Sequence, residues 1–274
     1  MPELPEVEIL RRELAAQAIG RTVTQVHVTA RRPGSFSEAD AQAALAGRSL
    51  TAARRRGKLL VLDFDGSQSL VVHLMMVGQF LLAPPLERAR EPRDVVLTLH
   101  FADGAALTLG QVDLKYVHLL PTEQVDTWPA IAGLGLDPTE AGFTVEALAR
   151  VLQGRRGALK PLLMNQKVVA GLGNTYVDEV LFRARLSPTR PAGSLSPAEV
   201  DRLHAAIGEE LARGFDLGGS SDMAFLHLDG TLGRYQEQFQ VNRRKGQPCP
   251  ACGNPIARIK VGGRGTYWCS QCQQ

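Results

Sequence analysis

Apolar residues in the first half of the chain follow a helical spacing and then a spacing typical of strands. A stripe of apolar side chains predicts a helix over residues 5–17, which Gly20 ends. Short β-rich runs follow at residues 22–28, 58–64, 69–80, 95–101 and 105–109. The Asp103-Gly104 pair between the last two runs is typical of a hairpin turn. The pattern predicts an N-terminal β-sandwich or barrel with one leading helix.

The second half of the chain has the spacing of helices. Apolar stripes predict helices at residues 145–152, 159–166, 175–184 and 197–213. The last helix begins with a capping box, in which Ser196 is the N-cap and Glu199 is the reciprocal acid. Glycines and prolines around residues 133–138 indicate a linker. We therefore predict an α+β protein of several domains, divided as 1–128, 129–232 and 233–274.

The four cysteines lie at the end of the chain, in the pattern Cys249-x2-Cys252 and Cys269-x2-Cys272. Each pair can aim two thiolates at one ion, and two pairs complete the tetrahedral shell of a structural zinc. The alternatives are two disulfides or four reduced thiols without a ligand. Since we expect a chain without an export signal, the spacing favours one structural Zn²⁺ ion held by all four cysteines.

The composition is that of a globular protein, since 44% of the 274 residues are hydrophobic and 22% are charged. This balance excludes a disordered chain, and no apolar run reaches the roughly 18 residues of a transmembrane helix. Glutamates precede the first basic residue, so the N-terminus does not resemble a signal peptide. We expect a cytoplasmic protein without a membrane partner.

The formal net charge is only +3, but the basic residues are concentrated near the C-terminus. They are Arg234, Arg243, Arg244, Lys245, Arg258, Lys260 and Arg264, against the single acid Glu237. Such a cluster is compatible with phosphate binding, and a solvated charged face is the alternative.

The first residues, Met1-Pro2-Glu3, allow an unusual nucleophile. A small second residue permits removal of the initiator methionine, and the new N-terminal proline then carries a secondary amine with a reference pKa of about 8. Such an amine can form an iminium with a sugar aldehyde carbon. The alternative is an ordinary start without a chemical role.

Several other stretches carry groups suited to phosphate. Two predicted helices joined by a glycine turn place Asn174 as the N-cap of the second, where free backbone amides suit an anion. Arg156 and Lys160 flank this pair and favour DNA, although a helical hairpin is also ordinary packing. The basic run 54–58 and the glycine-flanked Arg264 are weaker indications of the same kind.

Together these segments point to a known family. They are residues 1–8, 56–58, 73–76, 160–179 and 240–272. Taken in this order, they are specific: the chain resembles the formamidopyrimidine-DNA glycosylases, a group that also includes endonuclease VIII, over essentially its whole length. The resemblance implies an N-terminal β-sandwich, a helix-two turns-helix domain and a zinc finger, with DNA bound in the cleft between the two halves.

The resemblance also implies a reaction. Pro2 would attack C1′ of a damaged nucleotide after the base is flipped out of the stack. Glu3 would act as a general acid at the sugar ring oxygen. The resulting iminium acidifies the neighbouring C2′ hydrogen, so that β-elimination cuts the strand.

Further site residues follow from the same resemblance. Lys58, Asn174 and Arg264 match positions that hold the phosphates around the lesion, and Arg264 is also the candidate for a later δ-elimination. Met76 matches the wedge that fills the gap left by the flipped base.

One loop departs from the family pattern. Typical members carry Asp-Pro-Arg-Arg-Phe-Gly, whereas residues 111–117 read Gln-Val-Asp-Leu-Lys-Tyr-Val. Without a gap the first arginine is replaced by Asp113 and the phenylalanine by Lys115; shifted by one residue, Tyr116 takes the wedge position. In both registers the arginine that would read an opposite cytosine is absent, which predicts a weak preference for that base.

Two smaller departures leave the substrate open. Residues 74–78 read Leu-Met-Met-Val-Gly where Leu-Gly-Met-Ser-Gly is usual, and Asn242-Arg243 replaces Tyr-Gly before the finger. The lesion is therefore 8-oxoguanine paired with cytosine, or a broader set of oxidised pyrimidines, other damaged bases and abasic sites.

Three hypotheses remain. The first is a monomeric, nucleoid-associated glycosylase and AP lyase acting on double-stranded DNA with damaged bases or abasic sites. The second is a non-catalytic protein that binds damaged DNA on the same scaffold, suggested by the altered 111–117 loop. The third, an RNA-binding zinc protein of another kind, does not account for the Met-Pro-Glu start together with Lys58.

Overall fold

The computed structural model describes residues 1–29, 35–83 and 94–274, which form two compact units. The first unit comprises Met1–Ala132 and Leu217–Gln236, and the second comprises Gly133–Asp216 and Glu237–Gln274. Residues 217–236, called the 217–236 segment below, thus pack with the N-terminal part of the chain. The division into three domains at 128/129 and 232/233 stays a prediction.

The first unit is a β-sandwich preceded by a helix, as predicted. Its helices are α1 (Leu4–Gln17), α2 (Glu38–Leu45) and α3 (Pro129–Ala132). Its strands are β1 (Val23–Val28), β2 (Leu50–Arg56), β3 (Leu59–Phe64), β4 (Gln68–His73), β5 (Gln79–Ala83), β6 (Val95–Phe101), β7 (Ala106–Gly110) and β8 (Val117–Pro121). They form two antiparallel sheets in the orders β1-β6-β7-β5 and β2-β3-β4-β8.

Strand β3 is central to this unit and is buried along its whole length. Leu59 and Val61 pack with Val71, Val125 and Ile131 in one apolar cluster. The alternate residues of β3 are also buried, because both faces of its sheet are covered. This explains why five of the six residues of β3 are apolar.

The sequence pattern did not predict α2, α3, β2 or β8, and it merged β4 and β5 into one run. Strand β2 was missed because its small and basic residues, Leu-Thr-Ala-Ala-Arg-Arg-Arg, lack an apolar alternation. The run predicted over 69–80 divides into β4 and β5 at a turn, where Met75 has a φ of +53° and the Gly78 N–H donates to the Leu74 carbonyl at 2.8 Å. A Cβ on Gly78 would lie 2.5 Å from that carbonyl oxygen, so the turn requires glycine.

The second unit is helical and ends in a hairpin. It contains α4 (Val145–Leu152), α5 (Leu159–Leu163), α6 (Asn174–Arg183), α7 (Pro197–Asp216), β9 (Ala257–Val261) and β10 (Arg264–Trp268). None of the helices in the described residues combines the length and the apolar composition that a bilayer-spanning segment requires.

Local signals predicted these helices well, with one exception. Helix α4 has its predicted bounds, and Glu199 reaches back to the Ser196 N–H at 2.8 Å at the start of α7. Helix α5 ends three residues before the predicted end at 166. The Asn165 Oδ1 atom accepts from the Lys167 N–H at 3.0 Å, and this side-chain turn replaces the helix.

The stretch predicted as a linker packs into the second unit. Leu136 forms a parallel bridge with Val169, and the Gly135 N–H donates to the Gln166 carbonyl at 2.9 Å. A Cβ on Gly135 would lie 2.4 Å from the Val168 oxygen, so this glycine serves close packing rather than freedom of movement.

Candidate active site and metal centre

The N-terminus lies in a buried site of mixed charge in the first unit. Pro2 and Glu3 are buried, and the Lys58 side chain belongs to the same site. Burial lowers the pKa of the N-terminal ammonium below 8.0; Lys58 acts in the same direction, whereas Glu3, Glu6 and Asp222 raise that pKa. The structure therefore brings the predicted residues Pro2, Glu3 and Lys58 together. The amine in this structure is that of Met1, the residue before Pro2, and a lowered pKa increases the neutral fraction of such an amine.

Lys58 is positioned by the turn between β2 and β3. Gly57 has a φ of +56°, and its carbonyl accepts from the buried guanidinium of Arg55 at 2.9 Å. Arg55 also donates to Glu8 on α1 at 3.2 Å. Sequence reasoning did not single out Arg55 or Glu8, because nothing in a run of three arginines marks the one that turns inward.

The 217–236 segment reaches the same site. The Ser220 N–H donates to Glu6 Oε1 at 2.8 Å, while the other carboxylate oxygen accepts from the Glu3 N–H at 2.7 Å. The N-terminal amine donates to the Met223 sulfur at 3.6 Å. The sequence had shown only a polar stretch here, so Asp222 and Met223 are site residues that it missed.

The predicted wedge residue Met76 lies at the β4–β5 turn and is 54% exposed. Beside this turn, the Met75 N–H donates to His73 Nδ1 at 2.9 Å. Burial and the Lys58 charge lower the pKa of His73, which keeps Nδ1 available as an acceptor. The exposed methionine thus stands on a fixed turn.

The loop that departs from the family pattern forms a short 3-10 turn at Leu114–Tyr116. Leu114 is buried, and Asp113 lies 3.4 Å from the Lys115 ammonium. Tyr116 is half-buried, with Lys115 5.1 Å from its ring centroid. Neither Asp113 nor Leu114 offers the hydrogen-bond donors of an arginine.

Asn174 is the first residue of α6, and Gly173 rather than Asn174 is the N-cap. That prediction was wrong because the glycine takes the extended backbone conformation one residue earlier. The Asn174 Oδ1 atom is buried without a hydrogen-bond partner among the described residues. Backbone amides of the first turn still lie at this helix end, where a helix favours an anion.

The cations predicted around this helix end differ in accessibility. Arg156 and Arg264 are exposed, the latter at the tip of the β9–β10 hairpin. Lys160 has no exposed surface, and it donates to Asp178 at 2.6 Å and to the Gly265 carbonyl at 3.2 Å. Lys160 therefore bonds internal partners and holds the hairpin. Its charge does not reach a surface where a phosphate could bind.

The four cysteines form one cluster at the base of the hairpin. Their sulfur atoms all lie within 4.8 Å of one another, with Cys249–Cys272 at 3.8 Å and Cys252–Cys269 at 3.5 Å. A tetrahedron with zinc–sulfur bonds of about 2.3 Å has edges of about 3.8 Å, so the cluster fits one Zn²⁺ ion. The cysteines are free thiols, which sets the disulfide alternative aside.

These features define a zinc-finger protein whose Pro2 and Glu3 are buried in the same site as Lys58. The family model for the formamidopyrimidine-DNA glycosylase N-terminal domain matches residues 1–113, the one for the H2TH domain of the same proteins matches 134–225, and the zinc finger found in FPG and IleRS matches 246–274. The chain belongs to the formamidopyrimidine-DNA glycosylase family.

Individual relatives agree over the whole chain. The formamidopyrimidine-DNA glycosylase of Thermus thermophilus is 40% identical, with 100% of this chain and 98% of the relative covered, and that of Pelotomaculum thermopropionicum is 38% identical, with 100% and 99% covered. The crystal structure of the Thermus thermophilus protein matches with a TM-score of 0.87 at 38% identity over 99% of this chain and 98% of that one. The Lactococcus lactis protein, in complex with DNA containing an oxidised pyrimidine, matches with a TM-score of 0.89 at 35% identity and full coverage of both chains.

Proposed function

We propose that this protein is a bifunctional DNA glycosylase and AP lyase of base excision repair, which removes oxidised or otherwise damaged bases from double-stranded DNA. The observation that carries the proposal is the buried Pro2, which becomes N-terminal when Met1 is removed, beside the buried Glu3 and Lys58. Solved complexes of the similar Lactococcus lactis protein with DNA containing an oxidised pyrimidine or an abasic site support it.

The reaction begins when removal of Met1 makes the Pro2 nitrogen a secondary amine. Its lone pair attacks C1′, the glycosidic bond breaks, and the base leaves with the bonding electrons and takes up a proton. Glu3 protonates the ring oxygen as the C1′–O4′ bond opens, which leaves an iminium between Pro2 and C1′.

The iminium then withdraws electrons from C2′. Loss of a C2′ proton forms a carbon–carbon double bond while the C3′–oxygen bond breaks and the 3′ phosphate departs. Water hydrolyses the iminium and releases Pro2. If the iminium persists before this hydrolysis, loss of a further sugar proton and cleavage of the C5′–oxygen bond release the 5′ phosphate and complete β,δ-elimination, with Arg264 near the departing phosphate.

The DNA backbone is held by cations and helix amides. Lys58, Arg156, Arg264 and the amides at the start of α6 beside Asn174 bind phosphates, while Met76 and Tyr116 fill the space of the flipped base. Lys160 is left out of this set because it is fully buried. The zinc ion has a structural role and takes no part in the chemistry.

Borohydride trapping tests the proposal, because the reductant converts the iminium into a stable covalent adduct. Processed protein should form an adduct on duplexes with an abasic site or a damaged base, and Pro2→Gly should reduce the yield. Glu3→Gln should lose base removal, whereas Glu140→Gln, an exposed carboxylate of the second unit, should not.

A form of the protein with an N-terminal tag serves as a second control. Its Pro2 nitrogen is a peptide amide and should form no adduct, whereas a C-terminally tagged form should react. DNA binding by the processed protein without any adduct, even at an abasic site, would overturn the mechanism and favour the non-catalytic damage-binding hypothesis.

A further inference from the structure

His227 in the 217–236 segment is held between two acceptors. Its Nδ1 lies 2.5 Å from Glu13 Oε1, and its Nε2 lies 2.9 Å from the Gly218 carbonyl oxygen. A neutral imidazole has only one N–H, so both hydrogen bonds form together only when the ring is a doubly protonated imidazolium. The geometry therefore selects the charged ring.

The charges around His227 act in the same direction. Glu13 on α1 raises the pKa of His227 above 6.5, the Gly218 carbonyl and Asp229 add to this, and burial opposes it. Strand β5 pairs with the segment through the Leu82 N–H and the Leu228 carbonyl at 2.9 Å, and its residues Gln-Phe-Leu-Leu-Ala carry no charge.

Glu13 and Glu6 lie two helical turns apart on one face of α1, and they hold the segment at two places. The second oxygen of Glu13 accepts from the Leu228 N–H at 3.0 Å. Glu6 accepts from the Ser220 N–H at 2.8 Å. Between these anchors lies Met223, whose sulfur contacts the amine of Met1, the residue before Pro2. Loosening either anchor would free the part of the segment that lies beside the N-terminus.

We propose that His227 is a positioning residue, whose imidazolium form clamps the 217–236 segment to Glu13 and so keeps residues 220–223 in place beside the N-terminal amine. The proposal rests on the proposed function for its catalytic consequence. His227 is charged only when its ring is protonated. The clamp is therefore fully formed at low pH and is lost as pH rises through the folded-state pKa of His227, which lies above 6.5.

Hydrogen exchange without substrate tests the clamp directly. As pH rises above 6.5, the charged hydrogen bond between His227 and Glu13 is lost and the segment loosens. After correction for intrinsic exchange rates, protection of the Ser220 and Leu228 amides should therefore fall about tenfold. His227→Gln should lack this transition. Glu13→Gln should shift it down towards the free imidazole value of about 6.5.

His204→Gln is the matched control, because His204 lies in the second unit and bonds the Phe143 carbonyl at 3.0 Å. It should keep the wild-type transition. Protection of the segment that does not change with pH in the wild type would overturn the clamp.

Single-turnover base removal tests the positioning role. His227→Gln should be about tenfold slower than wild type below pH 6.5, and this deficit should disappear at alkaline pH, where the wild-type clamp has also opened. A deficit that is equal at all pH values, or no deficit at all, would overturn the positioning role. Failure of the wild type to form a borohydride adduct would overturn the proposed function and the catalytic part of this inference, while the exchange result would still decide the clamp.

Discussion

Lys160 on α5 and Asp178 on α6 form an ion pair 2.6 Å long in which neither side chain has any exposed surface. Asp178 also accepts from the Tyr267 N–H at 3.1 Å, and Lys160 donates to the Gly265 carbonyl. The pair therefore joins two helices to strand β10, next to Arg264 at the hairpin tip. A buried charge pair at this place determines how the finger is seated on the helical unit.

Removal of one partner should be strongly destabilising. Lys160→Met leaves the Asp178 carboxylate buried without its counter-charge, which should lower the free energy of unfolding by about 3–5 kcal/mol. The double variant with Asp178→Asn should recover part of this loss, because an amide oxygen still accepts from Tyr267 and no charge remains. Urea denaturation measures both; a cost below about 1 kcal/mol for the single variant would show that the pair matters little.

Glu179 should make stability depend on pH. Its carboxylate accepts from the backbone N–H groups of Gln240, Val241 and Asn242 at 2.7, 3.1 and 2.7 Å, yet burial raises its pKa from 4.5 to about 7. The folded state then binds the proton more tightly than the unfolded state, so stability should fall, on the order of 3 kcal/mol, as pH rises from about 4.5 to 7.

Glu179→Gln removes the titration and should flatten this part of the profile when thermal unfolding is followed between pH 4 and 8. The exposed Glu237→Gln should leave the slope as it is in the wild type. An unchanged slope in Glu179→Gln would mean that the three N–H groups keep the carboxylate charged in this range.

The zinc site should be necessary for the hairpin. Cys269 is fully buried and packs with Val241, Cys249 and Ile256 in the small core of the finger. Cys269→Ser should reduce bound zinc from one ion per chain to nearly none, as measured by elemental analysis, and should weaken DNA binding because the hairpin loses its core. Ser270→Ala, an exposed neighbour, is the control. Retention of one tightly bound ion in Cys269→Ser would contradict the four-cysteine assignment.

Opposite-base discrimination should be weak. A bidentate arginine contact is worth about 1–3 kcal/mol of discrimination, and neither Asp113 nor Leu114 can make one. Base removal opposite cytosine and opposite adenine should therefore differ by less than about tenfold in single-turnover assays. Asp113→Arg should increase the difference. A wild-type preference for cytosine of a hundredfold or more would show that another residue reads that base.

Predictions from local pattern were accurate for the helices with a clear apolar stripe. Helix α4 has its predicted bounds because its apolar stripe and its Thr144 cap lie within a few residues of one another. Strand β2 was missed since its register with β3 is held by contacts such as Arg54–Asp63 at 2.5 Å, which a single strand does not reveal.

The sequence by itself determined the class of elements and the metal site, and it predicted Pro2 as the nucleophile, because periodicity, cysteine spacing and the first three residues each lie within a short stretch of chain. Only the tertiary structure decided which charges are internal. Lys160 is fully buried and pairs with Asp178, whereas Arg264 is exposed. Both are basic residues beside glycine- or proline-containing turns.

The 217–236 segment is the strongest case of this kind. Glu6 bonds Ser220 and Glu13 bonds His227 across 214 positions of the chain in each instance. No periodicity links residues so far apart. From the sequence alone, a carboxylate on a helix face is predicted to be exposed to solvent, because the segment that covers it is not known. Which groups surround the N-terminus was thus decided by the tertiary structure, because burial and pairing depend on which distant segments meet.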